Sequence, residues 1–226
     1  MTHTPETYSE EQVNRMAQAA YRSGRASFEV DWRRAALLLI DMQLEFVLPG
    51  HTPYWVPEAT RIVPRLASLL AAAREAGMPV VHTAFADSHH FLDRPYSGSF
   101  MPNRYPELPK GGHAAEAKFI PELTPRPEEI VLHKPSYGAF HDTPLDTILR
   151  NLGCETVIVT GTLTNVCCGA TARQAYERGY KVVFGSDVTA TNSPELQEAE
   201  LRTLRYAFAR VMTAEEIIRS IEENSR

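Results

Sequence analysis

Ala35-Ala36-Leu37-Leu38-Leu39-Ile40-Asp41 is an unbroken apolar run closed by a carboxylate. A strand exposed on one face alternates polar and apolar residues. A run without alternation reads instead as a strand buried on both faces, the mark of a parallel sheet covered by helices. Downstream, Ile62, Leu66, Leu69, Leu70 and Ala73 recur at helical spacing up to Gly77, and Pro79–Thr83 reads as a second strand. Glu129–His133 is the third strand, and a helix carrying Leu145, Ile148, Leu149 and Leu152 enters at Asp142 and ends at Gly153. Thr156–Thr160 is the fourth strand, followed by a helix over about Val166–Arg178, and Lys181–Phe184 is the fifth. Ser193-Pro194 opens a helix by the cap-then-proline rule, with Leu201, Leu204 and Phe208 inward. Val211-Met212 is a short sixth strand, and Thr213 with Glu216 forms a capping box for a last helix burying Ile217, Ile218 and Ile221.

This alternation predicts an α/β fold: one Rossmann-like three-layer sandwich around a six-stranded parallel sheet, spanning residues 32–226. Residues 1–31 form a polar arm with a helix capped by Ser9 and running to about Ser23. Val13, Met16, Ala17, Ala20 and Tyr21 share one face of it. That stripe predicts a homodimer or homotetramer with the arm crossing to a partner; folding back on its own domain is the alternative. Residues 85–117 are a long loop of little periodicity, the expected place for a binding loop.

Composition narrows the function. The formal net charge of -5 over 226 residues carries no basic cluster, which argues against nucleic acid or an anionic membrane as partner and leaves a small-molecule substrate. No apolar stretch approaches a bilayer span, and the N-terminus lacks the basic and apolar regions of a signal peptide, so a cytoplasmic location is expected. The 3 cysteines, Cys154 and the adjacent Cys167 and Cys168, make a poor disulfide framework and no zinc pair. No GxGxxG or Walker sequence calls for a nucleotide, and no cofactor is expected.

In a doubly wound sheet the site lies beyond the carboxyl ends of the strands. Asp41 follows the first strand; it suits proton transfer at the edge of a low-dielectric core, or it caps the turn. Lys134 follows Ile130-Val131-Leu132-His133, as a solvated charge or as the partner of a carboxylate and a thiol. Cys167 follows the fourth strand in Gly161-Thr162-Leu163-Thr164-Asn165-Val166-Cys167. A helix start favours an anion, so a thiol there is expected to lean toward thiolate, whereas Cys168 turns toward the core.

These residues resemble the isochorismatase-like cysteine hydrolases. The resemblance rests on Leu39-Ile40-Asp41-Met42-Gln43 with Phe46, on Lys134-Pro135 with Tyr137-Gly138-Ala139-Phe140, and on Gly161 to Cys167. It covers about Ala35 to Ile218 and implies an Asp41–Lys134–Cys167 triad. It also implies a cis peptide before Thr164 that turns the backbone N–H groups of Thr164 and Cys167 toward a substrate carbonyl. The implied reaction is covalent hydrolysis of a small amide, ureido or N-carbamoyl compound. Isochorismatase-type vinyl-ether hydrolysis and a catalytically silent binding module are the alternatives. Some relatives, the nicotinamidases, bind zinc through an Asp and histidines after the second strand. Asp87, His89 and His90 stand in that region with a different spacing, so no metal is expected. Gln43, Phe46, Tyr96, Arg104, Tyr137 and Phe140 are candidates to shape the pocket. Arg104 could grip a carboxylate or serve a surface salt bridge; Phe46, Tyr137 and Phe140 could equally be core aromatics.

Overall fold

The computed structural model describes residues 7–86, 92 and 117–224. Its sheet has six strands: β1 (Ala35–Ile40), β2 (Val80–Phe85), β3 (Ile130–Lys134), β4 (Thr156–Thr162), β5 (Lys181–Ala190) and β6 (Arg210–Met212). Their order is β3-β2-β1-β4-β5-β6, and every pairing is parallel. The chain winds outward in one direction from β1 and then in the other from β4. The crevice between these neighbours is therefore the topological switch point.

Both faces are covered, as the unbroken apolar strands require. Leu37 and Leu39 of β1 point to a core shared with helices α3 (Pro57–Glu75) and α7 (Ala214–Asn224). Ala36, Leu38 and Ile40 point to a core shared with α4 (Leu145–Asn151), α5 (Gly169–Glu177) and α6 (Pro194–Ala207). Local signals set the helix ends. Ser193 accepts from the Leu196 N–H ahead of Pro194, and the Thr213–Glu216 box is closed in both directions.

Three boundaries differ most from expectation. Strand β5, expected to end at Phe184, continues through Gly185-Ser186-Asp187 to Ala190. The ladder resumes at Thr189 beside Gly161 after a register shift. The fourth helix begins at Leu145 rather than Asp142, which has φ 51. The helix expected from Val166 is preceded by a wide π turn, Thr164–Cys168, before α5.

Helix α1 (Glu10–Ser23) has the Ser9 cap, reinforced by Gln12 as a full capping box. It lies on α6 of the same chain. Tyr21 stacks on Tyr206 with centroids 4.3 Å apart, and Arg202 reaches Gln18. Ala17, Ala20 and Tyr21 are partly covered by this packing, whereas Val13 and Met16 stay exposed. No helix among the described residues is long and apolar enough to cross a membrane.

Candidate active site

The crevice at the end of β1 begins with a backbone device. Gly161 has φ +106, and a Cβ there would stand 2.1 Å from the Ile40 carbonyl oxygen. Only glycine lets β4 run so close to β1 at this point. The next residue of β1's chain, Asp41, takes the left-handed conformation at φ 51, one that Asp tolerates better than most side chains. This turn leaves the Asp41 carboxyl group buried at the strand end, at 1% exposure.

Two groups grip that carboxylate. The Thr83 hydroxyl donates to Oδ1 at 2.7 Å, and the Lys134 ammonium pairs with Oδ2 at 2.8 Å. Lys134 is the last residue of β3, two strands away, and its four-carbon stem crosses the end of β2 to arrive there. It is wholly buried, with Nζ 4.9 Å from the Phe85 ring centroid. Nζ also donates to the carbonyls of Ser136 at 3.0 Å and Tyr137 at 2.9 Å. A buried ammonium is costly unless its donors are met, and these partners meet them.

Cys167 comes in from the third side, 8% exposed, in the turn after β4. Its thiol is near enough to Asp41 and Lys134 for both charges to act on it. The N–H groups of Val166 and Cys168 both fold back onto the Leu163 carbonyl. A cis peptide links Thr162 to Leu163, one bond earlier than the position before Thr164 implied by the resemblance; the motif marks the turn but not which of its bonds is cis.

The electrostatics correct one expectation. Burial pushes the Cys167 thiol up to about 12, the Asp41 charge pushes the same way, and Lys134 only partly opposes them. The helix-start argument for a resting thiolate therefore fails here: desolvation and a neighbouring carboxylate outweigh a few backbone dipoles. Burial alone would lower the Lys134 pKa, but the Asp41 charge, joined by that of Cys167 once the thiol ionises, holds it above its ordinary value. Cys168 is fully buried with Sγ 3.7 Å from the Thr160 carbonyl, and burial drives its pKa well up, as suits a packed core thiol.

The remaining candidates separate. Gln43 is buried, and its Oε1 accepts from the Phe85 N–H at 2.7 Å, tying the ends of β1 and β2. Phe46 belongs to the short helix α2 (Leu44–Val47) and packs, partly buried, against the core. Phe140 lies in the core against Tyr180, with Arg178 over its ring, the arrangement of a core aromatic. Tyr137 is half exposed and stacks on Phe85. Thr164 is buried, its hydroxyl donating to Gln197 Oε1 at 2.6 Å. Asp87, His89, His90, Tyr96 and Arg104 lie outside the described residues. Among the described residues no cluster of His, Cys, Asp or Glu is arranged to hold a metal.

Sequence reading missed three residues that order this site. Thr83 holds Asp41. Thr171 accepts from the Ala139 N–H and donates to the Cys167 carbonyl at 2.7 Å, joining the segment after Lys134 to the cysteine turn. Gln197 braces Thr164 by donating to the Ser186 and Thr189 carbonyls. Each is an ordinary polar residue with at least one partner distant in sequence, so no local signal marks that role.

A family model described as Isochorismatase domain matches residues 35–216, from the first strand into the last helix. A ureidoacrylate amidohydrolase of Methylorubrum extorquens is 33% identical over 203 residues, covering 80% of this chain and 79% of that protein. Nicotinamidase 3 of Arabidopsis thaliana is 32% identical over 197 residues, covering 84% of this chain and 90% of that protein. Among solved structures, a cysteine hydrolase from Pseudomonas syringae pv. phaseolicola aligns with a TM-score of 0.79 at 32% identity, covering 89% of this chain and 97% of that one. The matched span holds all six strands and the residues gathered at their carboxyl ends, and the chain belongs to the isochorismatase family of hydrolases.

Proposed function

We propose that this protein is a cysteine-dependent amidohydrolase that cleaves a C–N bond of a small amide, ureido or N-carbamoyl compound through an acyl-thioenzyme. The observation that carries the reading is the meeting of Asp41, Lys134 and Cys167 from three separate strands in one nearly sealed crevice, with Lys134 and Asp41 2.8 Å apart. A carboxylate beside a protonated thiol, balanced by a buried ammonium, is an arrangement for moving one proton during nucleophilic attack. The names of the amidohydrolase relatives add support for a C–N bond over a vinyl ether.

In this reading Asp41 takes the Cys167 proton as Sγ bonds to the substrate carbonyl carbon. The carbonyl oxygen gains the negative charge and is held by the backbone N–H groups of Thr164 and Cys167. Collapse of the adduct breaks the C–N bond, and the proton on Asp41 passes to the leaving nitrogen. Water then attacks the thioester with Asp41 as base; the S–C bond breaks and the thiol regains its proton. Lys134 keeps its charge throughout and stops Asp41 and the developing thiolate from repelling each other. Tyr137, half exposed beside Phe85, is the described aromatic best placed to meet substrate.

The test is ammonia release from a panel of ureido, N-carbamoyl and primary amide compounds, with Cys167→Ala as control. Release by the natural protein that disappears in the variant supports the reading. Release that persists in the variant overturns it.

A further inference from the structure

Thr83 sits on β2 in register with Ile40, the residue before Asp41. The contact between Thr83 and Asp41 has a fixed direction. The Asp41 N–H, which can only donate, is shared between the Thr83 carbonyl and Thr83 Oγ1, each at 3.2 Å, and leaves the hydroxyl proton to be donated onward. It goes to Asp41 Oδ1 at 2.7 Å. Thr83 is wholly buried and Asp41 is 1% exposed, so water does not substitute for this bond. Lys134 holds the other oxygen, and the charge of the same carboxylate acts on the Cys167 thiol.

One proton can lie in two places here: on sulfur beside a carboxylate, or on Asp41 beside a thiolate. The Thr83 hydroxyl meets a charged acceptor in the first arrangement and a neutral acid in the second. A hydrogen bond to a charged group is the stronger of the two, by about the factor that makes a tenfold change in an equilibrium. We propose that Thr83 is a positioning residue that keeps the resting proton on Cys167 rather than on Asp41. It acts through Asp41, and the proposal rests on the reading of Cys167 as nucleophile and Asp41 as its proton acceptor. The consequence is a nucleophile that stays a thiol, guarded against stray electrophiles, until a substrate carbonyl is in place.

The probe is iodoacetamide on the full-length protein at neutral pH, with labelling of the Cys167 peptide followed by mass spectrometry. In the reaction the S–C bond forms, the C–I bond breaks, iodide leaves, and the thiol proton rests on Asp41 before passing to solvent. Thr83→Val keeps the shape and removes the donor; it should label Cys167 about tenfold faster than the natural protein. Thr83→Ala should do the same and serves if the valine variant folds poorly. Thr83→Ser should restore the natural rate. Cys168, wholly buried, reports on the fold and should stay unlabelled. Asp41→Asn should also speed labelling, because it removes the charge that opposes the thiolate and leaves Lys134 in place. An accelerated Asp41→Asn with an unchanged or slower Thr83→Val overturns the role of Thr83 alone. An unaffected Asp41→Asn overturns the shared proton on which both readings stand. Labelling of Cys168 in Thr83→Val would mean a merely structural role, and would also overturn the proposal.

Discussion

At the scale of single residues, Asp41, Lys134 and Cys167 do nothing unusual alone; their chemistry comes from burial together. A carboxylate and an ammonium held 2.8 Å apart out of water are each the condition for the other's charge. Asp41→Asn nearly preserves shape but cannot accept a proton, so it should remove turnover while its Cys167 becomes easier to alkylate. A Michaelis–Menten assay beside the alkylation rate separates the two effects, and near-normal turnover would make Asp41 a structural cap. Cys168→Ala should keep most activity, since that thiol is fully buried against the Thr160 carbonyl, while Cys167→Ala should lose it. Asp41, Lys134 and Cys167 could be picked out as candidates in sequence because each stands at or beyond the end of a strand whose apolar run is legible. The charge state of Cys167 was not: it is set by the distance to Asp41 and by exclusion of water, neither of which a local pattern carries. Thr83 was hidden for the same reason, being one threonine in a strand until the register places it opposite Ile40.

At the scale of elements, the closest approach in the site is β4 against β1 at Gly161. Gly161→Ala puts a methyl 2.1 Å from the Ile40 carbonyl and forces a positive φ on a residue with a side chain. The cost should be about 4 kcal/mol, read as a loss of thermal stability, and a variant of unchanged melting temperature would contradict the geometry. A second buried cluster joins β2, β3 and α3. Glu129 takes a bidentate pair from Arg74 at 2.7 and 2.9 Å and meets His82 Nε2 at 3.0 Å. Burial alone would raise the Glu129 pKa, but donors from Arg74, the Arg126 N–H and His82 bring it down from 4.5 to about 2. A lowered carboxylate pKa gives stability that is complete above about 4.5 and fades as pH falls toward 2. His82, which burial holds below its ordinary value of 6.5, resists the proton that the unfolded chain accepts, and so adds to acid lability. Glu129→Gln should therefore cost about 2–3 kcal/mol at pH 7, with the gap to the natural protein closing in acid. Denaturant melts from pH 7 to 3 check this, and a gap independent of pH would contradict it. Helix caps such as Ser9, Ser193 and the Thr213–Glu216 pair were readable because each is closed by partners a few residues apart. The extension of β5 past Gly185 was not, since its pairing with Gly161 is long-range.

At the scale of the whole molecule, the winding β3-β2-β1-β4-β5-β6 brings three distant stretches of sequence to one crevice. The parallel order was legible from alternation of strand and helix, and the site's place at the switch point followed from it. The arm stands apart from this logic: α1 has no buried residue and lies on α6. A chain beginning at Asp31 should keep the fold while losing the Tyr21–Tyr206 stack, the Arg210 contacts to Phe28 and the packing of Val30 on the core, about 2–4 kcal/mol in all. That corresponds to a fall of about 5–12 °C in melting temperature for a chain of this size, and outright unfolding would contradict it.

On the proposed mechanism Cys167 becomes covalently acylated during turnover. The direct measurement is mass spectrometry of the Cys167 peptide, acid-quenched within a single turnover of whichever ureido, carbamoyl or amide compound the ammonia assay identifies. The expected result is an adduct of the substrate's acyl portion on Cys167, absent in Cys167→Ala together with turnover. Turnover with Cys167 unmodified, and surviving in Cys167→Ala, would contradict it.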